Sequence, residues 1–191
     1  MKRVLLHVCC GPCMIYPLDI LRDEGLHVHG FFYNPNIHPY TEFKERLVCL
    51  EGFARDERLR LTAEVGYDME EFMRSVAGHE DDRCAICYEM RLRKTAQAAK
   101  DAGYDYFSTT LLYSKYQKHD LIVQVANVVA NDVGIPFLYR DFRTGWQEGQ
   151  DRARELGMYR QKYCGCIYSE KERYKKDIAR LADAETDSLT D

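Results

Sequence analysis

No stretch of this 191-residue chain approaches the ~20 consecutive apolar residues that a membrane-spanning helix needs. Met1-Lys2-Arg3 runs straight into Val4-Leu5-Leu6-His7-Val8, an apolar segment too short for a signal peptide. Prolines number only five, and no low-complexity segment, internal repeat or second domain is apparent. Positive charge is not in excess either. Lys and Arg total 27 against 31 Asp and Glu, a net charge of −4, so no global basic field draws in nucleic acid. These absences point to a cytoplasmic protein of one domain with a full core. In that reducing compartment a framework of structural disulfides is not expected.

Cysteine is what the chain does have. Seven of its eight cysteines fall in three tight groups, Cys9-Cys10-Gly11-Pro12-Cys13, Cys84-Ala85-Ile86-Cys87 and Cys164-Gly165-Cys166. Cysteines placed for packing would not pair at short spacings three times over, so metal ligation or thiol redox chemistry is implied. Cys49 stands apart in a helical context that suits an ordinary packed thiol.

Hydrophobic patterning predicts strands at 4–9, 27–33, 59–63, 106–112 and 135–139. Helices are expected at 14–24, 41–55, 69–75, 83–100, 119–133, 147–156 and 169–182, with turns at Gly25, Gly103 and Gly134. Alternating strands and helices give an α/β class, a doubly wound, Rossmann-like parallel sheet in a single domain spanning 1–183. The acidic, small-residue tail 184–191 is expected to fray.

In such a sheet ligands bind beyond the carboxyl ends of the strands, where strand order reverses. A central first strand delivers Cys9 and Cys10 to that point, and Pro12 suits the first turn of the next helix. The helix N-terminus favours thiolates, and Gly11 is expected to admit close approach of a bulky ligand. Cys84 and Cys87, three apart at a helix start, share a face that Arg91 continues one turn on, suited to balance an anionic sulfur centre. Cys9, Cys10, Cys84 and Cys87 together supply the four thiolates of a 4Fe–4S cluster, although structural zinc and free thiols also suit the spacing. Cys164-Gly165-Cys166 can chelate a metal or close a labile disulfide. Cys13 is either a further ligand or packs beneath its helix.

The remaining residues carry weaker signals. His7 reads as a satisfied core histidine, His38 and His119 as polar-loop residues, and Asp81-Asp82 as a cap for the helix after it. Tyr33, Tyr113, Tyr116 and Tyr163 sit where a phenol can donate a proton or stack on a base. Lys115, Lys118, Arg160 and Lys162 lie beside the motifs and form a candidate RNA-binding patch, although charge alone is equally that of solvated helix faces.

Five motifs occur in one order: His7-Val8-Cys9-Cys10-Gly11-Pro12-Cys13, Tyr33-Asn34-Pro35-Asn36-Ile37-His38-Pro39, Asp82-Arg83-Cys84-x-x-Cys87-Tyr88-x-x-Arg91-Leu92, Thr109-Thr110-Leu111 and Tyr159-Arg160-Gln161-x-Tyr163-Cys164-Gly165-Cys166. Over about residues 3–176 this pattern resembles the QueH-type epoxyqueuosine reductases. The resemblance implies reduction of the epoxide of epoxyqueuosine at the tRNA wobble position, the last step of queuosine biosynthesis. It implies Cys9, Cys10, Cys84 and Cys87 as iron–sulfur ligands. Cys164 with Cys166 become a redox-active pair or, with Cys13, ligands of an additional mononuclear iron. Partners would be tRNA and an external electron donor. The rival readings are an iron–sulfur enzyme like the sulfonucleotide reductases or a tRNA sulfurtransferase of the ATP-pyrophosphatase superfold, and a zinc-stabilised RNA-binding module. The first pair of rivals needs a Ser-Gly-Gly-x-x-Ser phosphate loop after the first strand, and Cys-Cys-Gly-Pro-Cys stands in its place.

Overall fold

The computed structural model describes residues 1–188, the side chains of 184–188 excepted. Four short strands form one parallel sheet in the order β3-β2-β1-β4: β1 (Arg3–His7), β2 (His27–Phe32), β3 (Arg60–Ala63) and β4 (Tyr106–Thr109). Val4, Leu5 and Leu6 are buried, as a central strand covered on both faces requires. β1 pairs with β2 from Arg3↔His27 to His7↔Phe31 and with β4 from Val4↔Tyr106 to His7↔Thr109.

Right-handed crossovers decide the layers. The chain moves outward from β1 to β3 through α1 (Gly11–Asp23) and α2 (Tyr40–Asp56), which pack on each other. It then returns across the sheet to β4 through α3 (Met69–Val76) and α4 (Arg83–Asp101), so α4 covers the opposite face with α5 (His119–Val133). α6 (Trp146–Glu155) packs on α1, and α7 (Ile167–Arg173) and α8 (Lys175–Ser188) close the described chain. Strand order reverses between β1 and β4, so the switch point lies beyond His7 and Thr109.

Several boundaries differ from the sequence expectation for local reasons. The segment 135–139 makes only a bridge, Phe107↔Phe137, rather than a fifth strand, because Pro136 has no N–H for the ladder. The Thr109 hydroxyl accepts from the Leu111 amide at 3.1 Å and turns 110–113 into a 3-10 turn where the strand was expected to continue. Asp82 precedes α4 but makes no side-chain cap bond, and 80–82 is itself a short 3-10 turn. The expected helix at 169–182 is two helices meeting at Tyr174. Part of the stretch expected as a tail, 184–188, is helical, and 189–191 lie outside the described residues.

Gly11 has a different use from the one its position suggested. A Cβ there would stand 2.6 Å from Met158 Cε and 2.9 Å from Cys49 Sγ. The missing side chain therefore lets α1 close on α2 and the 156–159 turn. Cys49 packs there half-buried, as its helical context suggested.

One buried group sets an acid limit on the sheet. His29 on β2 hydrogen-bonds the Tyr104 hydroxyl through Nδ1 and Thr62 Oγ1 through Nε2, the latter at 2.9 Å. Burial, helped by the charges of Arg60 and His27, pulls its pKa down to about 4. The unfolded chain then binds this proton at higher pH than the folded one. The stability contributed is complete above the ordinary histidine value and lost as pH falls towards 4. His29→Gln keeps a hydrogen-bonding side chain without the titration. Its urea midpoint should fall less steeply than the wild type's between pH 6.5 and 4, and identical slopes would show that His29 does not set this limit.

Candidate metal centre and active site

Beyond β1 the backbone stays in register for one more bond, Val8 N–H to the Phe31 carbonyl at 2.8 Å, and then turns into α1. Cys10 is the N-cap residue of that helix and makes no side-chain cap bond. Cys9, Cys10 and Cys13 are all buried, and their sulfurs lie within 4.8 Å of one another. The Cys9 and Cys10 sulfurs are 3.7 Å apart, and Cys9 Sγ is 3.8 Å from Thr110 Oγ1 across the switch point. Hydrogen bonds from the Cys10 and Cys13 thiols hold the Cys9 pKa well below the usual thiol value, against burial and with help from Arg91 and Arg46. Burial pushes Cys10 up, and hydrogen bonds to Cys10 and Cys9 push up Cys13. The Gln161 amide donates to Cys10 Sγ at 3.1 Å.

The other cysteines gather on the α4 side. Cys87 and Cys166 belong to one small buried cluster with Phe72 and Val76. Cys164 and Cys166 both oppose ionisation of Cys87, which burial first pushes up to about 12. The Arg83 guanidinium feels the charges of both Cys84 and Cys166. Sequence spacing had grouped Cys9 and Cys10 with Cys84 and Cys87, whereas the thiols that close into a compact set are Cys9, Cys10 and Cys13. Cys13 therefore lines the site and does not merely pack beneath its helix.

Between the two sets sits Arg91, 1% exposed. It donates to Cys87 Sγ at 3.5 Å, Asn34 Oδ1 at 3.0 Å and His7 Nε2 at 3.3 Å. Burial alone would pull its guanidinium down, and the charges of Cys87, Cys9 and Cys164 more than offset this. His7 is the core histidine expected, with Nδ1 2.9 Å from Thr109 Oγ1. Burial and the Arg91 charge take its pKa to about 3, so it is neutral. Its Nε2 also lies 3.2 Å from the Tyr33 carbonyl, so the ring is held on both sides.

Arg46 on α2 is fully buried. It donates to Glu42 Oε1 at 2.7 Å and holds the Cys164 and Tyr163 carbonyls at 2.8 and 3.0 Å. The Gly165 carbonyl accepts from the His38 amide at 2.8 Å. Gly165 itself has φ +149, and a Cβ would lie 3.1 Å from Ile37 Cγ1, so only glycine fits between the two cysteines. Asn36 Oδ1, His38 Nδ1 and Arg83 Nε, on residues that pack or face this loop, are buried without a hydrogen-bond partner. His38 and His119 are both buried rather than loop residues facing solvent.

A cavity of about 810 Å³ opens in front of these sulfurs, and Cys9, Cys13 and Cys164 are in its wall. Arg160 and Lys162 line it as expected, joined by Arg154 and Arg173, while Lys115 and Lys118 lie outside its lining. Trp146 and Tyr116 form an aromatic edge with ring centroids 5.6 Å apart, and Tyr116 is 86% exposed. Tyr113 is not available for stacking: it is fully buried and donates to the Trp146 carbonyl at 3.0 Å. Tyr163 lines the cavity, with its hydroxyl given to the His38 carbonyl at 2.5 Å. Tyr33 is buried beneath Lys94.

A family model described as epoxyqueuosine reductase QueH matches residues 4–172. The chain belongs to the QueH family. Among curated QueH proteins, that of Dehalococcoides mccartyi is 39% identical over 174 residues, covering 91% of this chain and 96% of the relative. The QueH of Thermotoga maritima is 36% identical, covering 92% and 94%. A solved structure of a predicted subunit of tRNA methyltransferase from Methanocaldococcus jannaschii superposes with TM-score 0.58, covering 81% of this chain and 75% of its own. At 12% identity that likeness is one of fold. Membership in the QueH family gives the cysteine constellation its context. An oxidoreductase family accounts for thiols gathered at a ligand-binding edge better than a zinc-stabilised module does.

Arg46→Met tests the loop that carries Cys164 and Cys166. It leaves the buried Glu42 without its ion-pair partner and orphans two carbonyls, a change expected to cost about 3–5 kcal/mol. Chemical denaturation should register that loss, and trypsin should cut more readily at Arg160 and Lys162. A stability within ~0.5 kcal/mol of wild type would mean that the loop does not depend on this pair.

Proposed function

We propose that this chain is an epoxyqueuosine reductase acting on the wobble nucleoside of tRNA, and that its seven clustered cysteines hold a 4Fe–4S cluster and a second iron. The observation that carries the reading is the convergence of Cys9, Cys13 and Cys164 on one basic, aromatic-edged cavity in a member of the QueH family. Converting the epoxide to an alkene and water takes two electrons and two protons, so an external electron donor is required.

The donor set suits iron. Soft thiolates select iron–sulfur centres, and buried Arg91 and Arg46 offset the negative charge that such a centre brings. We assign Cys84, Cys87, Cys164 and Cys166 to the cluster, since together they supply its ligand count and Cys87 senses both Cys164 and Cys166. Cys9, Cys10 and Cys13 suit a single ion, because three protein ligands leave a position open to the cavity that Cys9 and Cys13 line. Bound there, a cluster would supply single electrons and a metal ion would polarise the epoxide oxygen.

The chain's own residues bind and orient the substrate. The base has to leave the anticodon stack to reach the switch point. Tyr116 and Trp146 offer it an aromatic face at the cavity edge. Arg154, Arg160, Lys162 and Arg173 line the cavity and would take the flanking phosphates, while Lys115 and Lys118 stand outside its lining. Despite the net charge of −4, this local patch would give the affinity its salt dependence. The chemistry needs a reducing compartment, in keeping with a cytoplasmic enzyme; among the described residues no helix is long and apolar enough to cross a membrane.

Anaerobic reconstitution followed by nucleoside analysis of treated tRNA tests the activity, and queuosine should replace epoxyqueuosine. Acid-labile sulfide locates the cluster. Cys164→Ala should lose most sulfide, whereas Cys13→Ala should keep about four sulfides and lose one iron. Sulfide lost from Cys9→Ala but retained by Cys164→Ala would return the cluster to Cys9, Cys10, Cys84 and Cys87. Stoichiometric zinc without sulfide in an oxygen-free preparation would reject iron altogether.

RNA docking is tested by reversing charge at Arg160 and Lys162. The double variant should bind tRNA more weakly and with a shallower salt slope, by up to ~2 in log–log terms, without a change in visible absorbance. Equal affinities and slopes would place the RNA on another face.

A further inference from the structure

α6 and the residue before it carry two adjacent rows of side chains, each with a four-residue repeat. One row is Gly145, Gly149 and Ala153, and it is buried. The other is Trp146, Gln150 and Arg154, and all three line the cavity. Residues four apart stay on one side of a helix, and here successive members stand about 6 Å apart along its axis. The cavity row therefore presents an aromatic ring, an amide and a guanidinium in that order, one turn apart.

The small row fixes how the helix is turned. A Cβ on Gly145 would fall within the Tyr16 ring of α1, and one on Gly149 would collide with the Tyr113 hydroxyl. Tyr113 is fully buried and has no room to step aside. Its phenol gives its single proton to the Trp146 carbonyl at 3.0 Å, so the Gln150 amide, 3.5 Å away, meets it with an N–H. That settles which end of the amide is oxygen. The Gln150 carbonyl oxygen is left without a hydrogen-bond partner among the described residues, yet it is not a buried atom. It is an open acceptor on a half-buried side chain of the cavity wall. Arg154 pairs with Asp151 at 2.7 Å, but both side chains are half-exposed, and a guanidinium with five N–H donors keeps some for a second anion.

We propose that this row reads a single nucleotide: Trp146 stacks on its base, Gln150 accepts a hydrogen bond from a guanine-type pairing edge, and Arg154 takes its phosphate. A guanine-type edge sets N1–H beside a 2-amino group, whereas adenine has a lone pair in place of N1–H and would meet the Gln150 oxygen with repulsion. Queuosine's base keeps the guanine pairing edge, so Gln150 becomes a specificity-determining residue for the extruded wobble base. That the nucleotide is epoxyqueuosine rests on the reductase reading above; that a guanine-type nucleotide lies along this face does not.

Trp146 is the chain's one tryptophan, so its fluorescence reports stacking directly. The probes are two anticodon stem-loop RNAs, identical except for guanine or adenine at the wobble position, titrated into the protein as purified. The guanine RNA should quench Trp146 and bind about fivefold more tightly than the adenine RNA. Gln150→Leu should keep the quench and bring the two affinities within about twofold, by weakening the guanine RNA. Gln150→Glu retains an acceptor and should retain the preference, while Arg154→Gln should weaken both RNAs alike. Gly149→Ala pushes the helix off Tyr113 and should lower quench and preference together; if that protein does not fold, the Gln150 variants decide. An unquenched Trp146, equal binding of the two RNAs by the wild type, or a full preference in Gln150→Leu would overturn the proposal. A Gln150-dependent preference in a protein that leaves epoxyqueuosine in tRNA unreduced would instead remove the reductase reading, and the nucleotide-reading face would stand.

Discussion

Two guanidinium groups buried at the carboxyl end of the sheet hold the sulfur-rich region together. Arg46 and Arg91 are each at most 1% exposed, and removing such a charge from water is costly unless other charges and hydrogen bonds replace the solvent. Here the replacements are the site itself. Arg91 is satisfied by a thiol, an asparagine and a neutral histidine, and Arg46 by Glu42 and the two carbonyls ahead of Gly165. Arg91 reaches the cysteines directly, whereas Arg46 holds the loop that carries two of them. The site is thus a charge-balanced unit in which neither half is comfortable alone.

This arrangement reuses a familiar place in α/β folds for different chemistry. The turn after β1 ordinarily offers its free backbone N–H groups to phosphate. In this chain Cys10 caps α1, Pro12 removes one of those donors, and the space is filled by thiols with Gly11 pressed against Cys49. The positive end of the helix then favours a thiolate on Cys9. A glycine in this turn need not signal ligand approach; here it permits helix packing.

Much of the plan was legible because it rests on local pattern. β1, the helix ends at Gly25, Gly103 and Gly134, and α5 from His119 to Val133 follow from apolar periodicity and turn residues. What was not legible depends on contacts distant in sequence. Cys87 meets Cys166 only because the 159–166 segment returns over α2 and α4. The burial of Arg46 cannot be read from Glu-Arg-Leu in an amphipathic helix. Tyr113 was misplaced because the strand was expected to continue, and a hydroxyl cap at Thr109 turned the chain inward. Pro136 was a readable warning against a fifth strand.

The Cys164-Gly165-Cys166 loop is held by partners 117 and 118 positions away in sequence, through the Tyr163 and Cys164 carbonyls on Arg46. During synthesis the first four cysteines emerge, and β1 to β3 can form, long before those carbonyls leave the ribosome. Until then Arg46 has no counterpart for two of its donors, and the buried end of the sheet stays open to water. Completion of the sulfur site is therefore a late, long-range closure rather than a local event. A cell that makes this protein has to keep its early thiols reduced through an interval of translation, with the final hundred residues serving as the lock.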